Sequence, residues 1–421
     1  MILLSSENQE ASLSDLMGGK PSMPTKTIGK RLGYLSSAPR VSTRPQSEAS
    51  GPRAHILGVI GAFKEIGWEV YPFIVGDRIP KSITQKSGMK LEKSWGLRLF
   101  ADLARIISGP IQSVRAWLEL HNKVDMVYER YAVMQSLGGI FQLDKIPWIL
   151  ETSGLYYYEA TVERKSIVLN GLAKNIELNA YRRCDVLICV SEVLKELIVR
   201  EGRIDPRKII VIPNGVDCIR FNPNTITPKR LFSGPTIGFV SALVRWHRLD
   251  VLLEALGQLK RRRVIINLVI AGDGPMRVEW ENLAEKLGLN DQVKFLGHIS
   301  WDDIPVLIGG IDLGYVGNAP MDIGVMYHSP LKMYEYMAMG KPVLAAKNED
   351  SVRLIIDGEN GFLFEALNQD ELQNKILEAL NFSSRWKVIG ENARSLVVKE
   401  ASWTSRVEEM LGKILIMQAE E

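Results

Sequence analysis

The chain has 421 residues, 46% of them hydrophobic, and a formal net charge of +3 at pH 7. This length suggests two domains, and charges that nearly cancel give no indication of nucleic-acid binding. Three cysteines without Cys-x-x-Cys spacing predict buried thiols in a reducing compartment, and five scattered histidines predict no metal site.

The N-terminal sequence lacks the charged region and apolar core of a secretory signal. No run of residues approaches the roughly 18 apolar positions that a membrane-spanning helix needs. Residues 1–30 are polar and show no sustained period, so they predict a mobile tail. These features together predict a cytoplasmic protein.

The first ordered part of the chain predicts a strand, a helix and a second strand. A strand at Leu32–Ser36 leads through a polar loop to Gly51, a helix follows from about Arg53 to Ile66, and Trp68–Val75 forms the next strand. Further strands are predicted after residues 125, 146, 183 and 208, and one long helix is predicted over residues 157–182.

Residues 94–120 carry apolar side chains near helical spacing, with arginines between them and Gly109-Pro110 as a predicted break. Two interpretations are open. The helices can cover the sheet, which their place between two predicted strands favours. Alternatively, a basic amphipathic helix can lie on an acidic membrane face.

The second half of the chain repeats the alternation of strands and helices. A polar, proline-containing stretch at residues 222–235 predicts a linker. Strands are predicted at 236–240, 265–271, 293–297, 312–315, 343–345 and 362–364, and helices follow several of them. A last helix is predicted from Trp403.

The most informative stretch runs from Tyr327 to Ala345. A Ser-Pro pair at Ser329 predicts the start of a helix, and Gly340 followed by a proline ends it before the next strand. Lys332 and Glu335 stand three residues apart and therefore share one helix face. A helix start at this place would direct free N–H groups and positive potential at an anion.

This stretch resembles the donor-binding signature of the family 4 glycosyltransferases. The resemblance extends over residues 31–415 and implies an α/β fold of two Rossmann-like domains facing a cleft, the GT-B type. It places an acceptor-side domain at 31–222, a donor-binding domain at 236–400 and a C-terminal helix at 401–421 that crosses back to the first domain. In this family the helix start faces the diphosphate of a sugar nucleotide, and the glutamate matching Glu335 holds the ribose.

The resemblance also implies further donor-side residues, together with departures from the family pattern. The family's first glutamate corresponds to Tyr327, its arginine to Ala242 and its lysine to His247. Nearby cations can replace the missing charge. The donor-side candidates are Ser329, Leu331, Tyr327, Glu335, Arg248, Gly272, Gly274 and Gly297, and the catalytic candidates are Lys332, Arg245 and His247.

Four residues are candidates for the acceptor side: Gly51, Glu129, Glu151 and Asn214. Glu129 and Glu151 come near the carboxyl ends of predicted parallel strands, where ligands gather in open sheets. A Glu129–Arg130 ion pair or a cap at a strand end explains these carboxylates equally well. Asn214 lies in an Asn-Gly turn and is a turn former first.

The resemblance implies an enzyme that moves a sugar from a nucleotide sugar, UDP- or GDP-linked, to an acceptor hydroxyl with retention. Because Tyr327 offers no carboxylate nucleophile where the family has a glutamate, we predict a front-face mechanism. Ser300–Asp303 is not an Asp-x-Asp metal motif, so we expect neither a metal nor another cofactor. The acceptor is a glycan, a lipid-linked molecule or a small molecule, and peripheral contact with the inner membrane face is compatible with it. A non-catalytic nucleotide-sugar-binding partner subunit is the alternative. A Rossmann oxidoreductase would need Gly-x-Gly-x-x-Gly after the first strand, and the loop from Ser36 to Gly51 lacks it.

Overall fold

The structure, a computed structural model, describes residues 29–45, 50–79 and 94–419, so the predicted tail lies almost entirely outside the described residues. Within them, parallel strands form two six-stranded sheets with the orders β2-β1-β3-β4-β5-β6 and β12-β11-β10-β7-β8-β9. The strands are β1 (Arg31–Ser36), β2 (Glu69–Ile74), β3 (Met126–Arg130), β4 (Trp148–Thr152), β5 (Val186–Cys189), β6 (Ile209–Val211), β7 (Thr236–Val240), β8 (Asn267–Ala271), β9 (Val293–Gly297), β10 (Leu313–Val316), β11 (Val343–Ala346) and β12 (Gly361–Phe364).

Helices cover both faces of each sheet, as parallel sheets require. They are α1 (Ser50–Glu65), α2 (Trp95–Leu120), α3 (Asn170–Arg183), α4 (Glu192–Gly202), α5 (Leu249–Arg261), α6 (Arg277–Lys286), α7 (Ile304–Gly309), α8 (Leu331–Ala338), α9 (Glu349–Leu354), α10 (Gln369–Asn381), α11 (Trp386–Glu400) and α12 (Trp403–Ala419), with single turns and 3₁₀ pieces between them. The predicted α/β fold with two Rossmann-like domains is confirmed.

The last helix, α12, packs on the N-terminal domain. Trp403, Val407, Met410 and Ile414 join a core formed by α1 and one face of the first sheet. A side chain at Gly58 of α1 would collide with the Trp403 ring, so the two helices approach closely only because this position is a glycine. The predicted crossover of the C-terminal helix is confirmed.

Alternation along each strand places the polar side chains of the first sheet on its two opposite faces. On β3, Tyr128 lies in the core shared with α1 and α12, whereas Val127 lies in the core shared with α2. Because successive side chains point to opposite faces, Arg130 follows Tyr128 and Glu129 follows Val127. The two neighbouring charged residues therefore cannot form the ion pair that the sequence left open.

The long helix predicted over residues 157–182 is wrong. The chain forms a single turn at Tyr156–Tyr158 and a π-helical turn at Glu159–Glu163, and α3 begins only at Asn170. The carboxylate of Glu177 in α3 accepts the backbone N–H groups of Tyr156 (2.9 Å) and Tyr157 (2.8 Å). The chain folds back so that this buried carboxylate caps the short turn.

The break predicted at Gly109-Pro110 is also wrong, because α2 continues through Pro110. Proline removes one helix hydrogen bond. Nearby side chains bond to the helix beside this position: the Ser108 hydroxyl donates to the Arg105 carbonyl (3.2 Å), and the Gln135 amide donates to the Ser108 hydroxyl (2.6 Å). No helix in the described part of the chain is long and apolar enough to cross a bilayer.

Candidate active site

The start of α8 lies at the boundary between the two domains. The Asn214 backbone N–H donates to the Ser329 hydroxyl (3.0 Å), and the Asn214 amide donates to the Ser329 carbonyl (2.6 Å). A side chain added at Gly51, at the start of α1, would come within 3.9 Å of Leu331. The structure therefore brings together two residues predicted for the acceptor side, Gly51 and Asn214, and two predicted for the donor side.

Ser329 fixes the start of α8. Its hydroxyl donates to Asp350 (2.6 Å), which also accepts from Tyr334 (2.7 Å) and pairs with Arg353 (2.6 Å). Since its proton is already bonded to Asp350, the Ser329 hydroxyl positions the helix and leaves ligand contacts to the residues that follow.

Lys332, in the first turn of α8, is a buried lysine that forms no hydrogen bond or ion pair with the described residues. Its side chain is 4% exposed, and Nζ has no hydrogen-bond partner among the described residues. The ammonium lies 4.5 Å from the centre of the Phe239 ring. Burial lowers its pKa well below the usual value for lysine, although the nearby Glu335 raises it. A buried, unpaired ammonium costs several kcal/mol unless an anion completes the site.

Glu335 lies one turn further along the same helix. Its carboxylate has no hydrogen bond among the residues that the structure describes, and burial raises its pKa to about 7 against the charges of Arg220 and Lys332. It faces a small cavity between the domains that Leu331 and Trp301 also line. Trp301 lies between the guanidinium groups of Arg220 (3.3 Å from the ring centre) and Arg53 of the other domain (4.2 Å).

His247 is neutral in this structure. Its Nδ1 lies 2.8 Å from the Ala242 carbonyl and therefore carries the proton, which leaves Nε2 as an acceptor. Burial lowers its pKa well below the usual value, and the charges of Lys332 and His328 lower it further. At the position that corresponds to the family's lysine, His247 therefore has Nε2 free to accept a hydrogen bond and carries no charge to neutralise a phosphate.

The two arginines near His247 differ in whether their side chains have a partner. Arg248 pairs with Asp250 at 2.7 Å, and its backbone has φ 48° at the start of α5. Arg245 is exposed, and its side chain has no hydrogen bond or ion pair in the described residues. The structure therefore does not present Arg248 to the cleft as a free charge, and Arg245 is the cation that remains available.

The predicted glycines allow three loops of the second domain to meet. Gly272 has φ 142°, and a side chain there would collide with the Ser241 carbonyl; one at Gly274 would come within 2.5 Å of the Leu243 carbonyl. The Gly272 N–H donates to the Gly297 carbonyl (2.8 Å). These glycines shape the end of the sheet on which a donor would rest.

Glu159 is a buried carboxylate that sequence reasoning missed. It belongs to the N-terminal domain, yet its Oε1 accepts from the Tyr327 hydroxyl (3.2 Å) and from His328 Nε2 (3.0 Å), while Oε2 pairs with Arg164 (2.7 Å). Burial alone would raise its pKa, but Arg164, His328 and Tyr327 lower it to about 2. The position where the family has a glutamate thus carries a tyrosine that reaches a carboxylate from the opposite domain.

Glu151 lies at the end of β4 in the layer of α1. One of its oxygens is 2.6 Å from His55 Nε2, and the other is buried without a partner in the described residues. Tyr34, Ser36 and Arg130 also carry buried polar atoms without partners there. These groups form a polar cluster at the carboxyl ends of β1, β3 and β4, where open parallel sheets bind ligands.

Glu129 lies on the other face of the first sheet, towards α2, and its carboxylate has a structural role. Its carboxylate accepts from the N–H groups of Leu137 (2.7 Å) and Gly138 (2.8 Å), from Ser136 (3.1 Å) and from the Trp148 indole (2.9 Å). Burial raises its pKa to about 7 despite these bonds. The cap interpretation describes Glu129 better than a contact with an acceptor.

Models of two known families match the two halves of the chain. The model described as Glycosyltransferase Family 4 matches residues 50–220, and the model described as Glycosyl transferases group 1 matches residues 228–396. The two matches cover β2 to β6 of the first sheet, all six strands of the second sheet, and the site residues on α1 and α8.

Individual related proteins align with this chain at low sequence identity. An uncharacterized glycosyltransferase of Methanocaldococcus jannaschii is 28% identical over 66% of this chain and 72% of its own length. The Escherichia coli UDP-Gal:alpha-D-GlcNAc-diphosphoundecaprenol alpha-1,3-galactosyltransferase is 25% identical over 68% of this chain and 74% of its own. The gpi3 subunit of the Schizosaccharomyces pombe phosphatidylinositol N-acetylglucosaminyltransferase is 31% identical, but the alignment spans 33% of this chain and 29% of that protein.

The fold also matches solved structures. The Anabaena protein HepE, crystallised in complex with UDP, aligns over 91% of this chain and 99% of its own with a TM-score of 0.59 and 19% identity. At this identity the match shows the same two-domain architecture.

Proposed function

Because this chain belongs to the family 4 glycosyltransferases, we propose that it transfers a sugar from a nucleoside diphosphate sugar to an acceptor hydroxyl with retention of the anomeric configuration. One observation carries the proposal: the buried Lys332 side chain at the start of α8 has no hydrogen bond or ion pair in the described residues. A diphosphate placed there meets this side chain and the free N–H groups of the first helical turn.

The donor-side residues divide the work by their chemistry. Lys332 and Arg245 stabilise the diphosphate as it departs, and Glu335 accepts hydrogen bonds from the ribose hydroxyls. The neutral His247 accepts a hydrogen bond from the sugar. Uridine is the base we propose, because the E. coli relative is named for UDP-Gal and HepE was crystallised with UDP.

A front-face reaction suits these residues. The acceptor hydroxyl oxygen bonds to the anomeric carbon on the face from which the phosphate oxygen departs, and the hydroxyl proton passes to that oxygen as the sugar–phosphate bond breaks. The products are the glycoside and the nucleoside diphosphate. Tyr327 offers no carboxylate nucleophile, and protein cations take the role of stabilising the leaving group, so the mechanism needs no metal.

The acceptor would enter from the N-terminal domain beside the Glu151–His55 pair. A lipid-linked acceptor is the class we propose, because the E. coli relative is named for a diphosphoundecaprenol substrate. Such a reaction would take place in the cytoplasm at the inner membrane face.

The contribution of Glu335 to donor affinity, measured as the dissociation constant of Glu335→Gln divided by that of the original protein, is expected to rise between pH 6 and pH 8. The pKa of Glu335 is raised to about 7, so its carboxyl group is mostly protonated at pH 6 and mostly ionised at pH 8, and both oxygens of the ionised form are free to accept from the two ribose hydroxyls. This ratio for the UDP-sugar should rise roughly 5–10-fold over this range. Calorimetric titration at several pH values measures it, and Glu335→Gln should bind weakly with a flatter profile. An unchanged pH slope in this variant would remove Glu335 from the ribose site.

A donor screen tests the proposal as a whole. Purified protein is incubated with UDP-, GDP-, ADP- and TDP-sugars, with and without chelator, and nucleotide release and thermal shift are recorded. We expect a shift and slow hydrolysis with a UDP-sugar, insensitive to chelator and lost in Glu335→Ala.

Other outcomes of the screen are equally informative. A thermal shift without turnover under any lipid-linked, glycan or small-molecule acceptor would replace the transferase with a nucleotide-sugar-binding partner subunit. No response to any nucleotide sugar would contradict the donor site at α8.

A further inference from the structure

The helix α2 turns its apolar face away from the protein. Six large apolar side chains recur at spacings of three and four residues and lie on one side of the helix: Phe100, Leu103, Ile107, Ile111, Val114 and Leu118. Their exposed fractions range from 45% to 68%. Among the described residues, 20 large hydrophobic side chains are exposed, and eight of them belong to α2. We call these six residues the outer stripe.

The orientation of α2 is fixed by its inner face, which is partly polar. Asp102 is fully buried, accepts the N–H groups of Val168 (2.7 Å) and Leu169 (3.0 Å), and pairs with Arg105 (2.6 Å). Leu120 packs in the core below the first sheet. Rotating α2 to bury the outer stripe would move Asp102 out of the protein interior and break these bonds. The hydrogen bonds of Asp102 therefore keep the outer stripe exposed.

We propose that the outer stripe docks the N-terminal domain on a lipid bilayer. The stripe extends about 27 Å along the helix, at 1.5 Å per residue, and contains no charged side chain. Trp95 lies exposed at the start of the helix, and the cation Arg115 lies exposed beside the stripe. An apolar face flanked by tryptophan and arginine suits a helix that lies in the membrane interface with its axis parallel to the surface.

The same features argue against a second copy of the chain as the occupant. A stable dimer buries about 800 Å² on each partner, with a polar rim contributed by several elements. The outer stripe is a single row of partly exposed side chains on one helix. The one nearby acidic side chain of α2, Glu119, already pairs with Arg78 (2.8 Å), so the flank does not repel an anionic surface.

Docking through α2 concerns the N-terminal domain, whereas the donor site starts at α8 of the second domain, and it goes beyond the proposed transfer reaction. The helix belongs to the domain that carries the Glu151 cluster, so a bilayer bound by α2 lies beside the acceptor-side domain. Membrane binding and donor binding are therefore measurable separately, and the failure of either leaves the other standing.

The test is sedimentation of the full-length protein with vesicles of phosphatidylcholine containing 30% phosphatidylglycerol. The variant Phe100→Glu/Ile107→Glu/Leu118→Glu changes only exposed positions, so it should fold, and an unchanged thermal shift with UDP would check this. We expect its partition coefficient to fall at least tenfold. The control Val278→Glu/Val352→Glu/Ile356→Glu adds equal charge at exposed apolar positions of the other domain and should bind vesicles like the original protein.

Three outcomes would overturn the proposal. The first is that the original protein stays in the supernatant with these vesicles. The second is that the control variant loses as much binding as the stripe variant. Alternatively, light scattering would show a dimer of the original protein that the stripe variant dissociates, which would assign the stripe to a second copy of the chain.

Discussion

Lys332→Met is expected to raise the melting temperature of the ligand-free protein while lowering kcat/KM for the donor roughly 10²–10³-fold, the loss seen when one charge-stabilising group is removed from an active site. Methionine has a similar length and fills the same space beside Phe239 without a buried charge, so folding no longer carries the cost of the unpaired ammonium. Thermal denaturation and initial rates of nucleotide release measure the two effects.

Lys341→Met is the matched control for this experiment. Lys341 belongs to the same domain, and burial also lowers its pKa, but its Nζ donates to the Gly309 carbonyl (2.8 Å). Its replacement should lower stability and leave the rate of transfer nearly unchanged. A Lys332 variant that behaves like this control, less stable and fully active, would contradict a binding role for Lys332.

Glu159→Gln is expected to lower both stability and transfer. The pKa of Glu159 is about 2 in the folded protein against an ordinary value of 4.5, so the carboxylate contributes about 3 kcal/mol at neutral pH. Because the folded pKa is lowered, this contribution is complete above pH 4.5 and is lost as pH falls towards 2. Denaturant unfolding at pH 7 and pH 3 should show a smaller difference for the variant than for the original protein.

Transfer depends on Glu159 through the residues that it holds. Without its charge, Tyr327 and His328 lose the acceptor that fixes them across the domain boundary, and we expect kcat to fall about 10-fold or more while the donor dissociation constant changes little. Glu163→Gln, in the same π-helical turn, is the control, because the Glu163 side chain is partly exposed and, within the described part of the chain, accepts only the N–H of Asp322 (3.3 Å). Equal losses in both variants would show that the turn itself matters and that the Glu159 carboxylate does not.

The spacing of apolar residues and the positions of the residues that end strands and helices were sufficient to predict most of the fold. Apolar runs bounded by glycine, proline and asparagine marked the strands of both sheets, and the stretch from Tyr327 to Ala345 gave α8 and β11 nearly to the residue. Parallel sheets leave strong local signals because their strands are apolar on both faces. The family resemblance added the crossover of α12, which no local pattern predicts.

The errors share one physical cause, which is that distant residues decided the outcome. The fold-back before α3 depends on Glu177 capping a turn 21 residues earlier. Arg248 stays a donor-side candidate, and the sequence alone did not indicate that its guanidinium pairs with Asp250. Glu159 becomes a site residue only because the second domain brings Tyr327 to it, 168 residues away.

The outer stripe of α2 is another feature that the sequence pattern alone does not predict. Helical spacing identified an amphipathic helix, and the usual inference is that its apolar face is buried. The structure buries Asp102 instead, because that carboxylate caps the chain at Val168 and Leu169. Periodicity finds the two faces of a helix, but tertiary hydrogen bonds decide which of them faces the core.

Proton uptake on binding of UDP at pH 8.5, measured by calorimetry in buffers of different ionisation enthalpy, would show whether the diphosphate of the donor rests on Lys332. Lys332 has a lowered pKa in the free protein, and a diphosphate beside it must raise that pKa, whereas Glu335 and UDP are mostly ionised at this pH. We expect net uptake of protons by the original protein and much less by Lys332→Met. Binding of UDP without proton uptake, or with equal uptake in both proteins, would show that the diphosphate does not rest on Lys332.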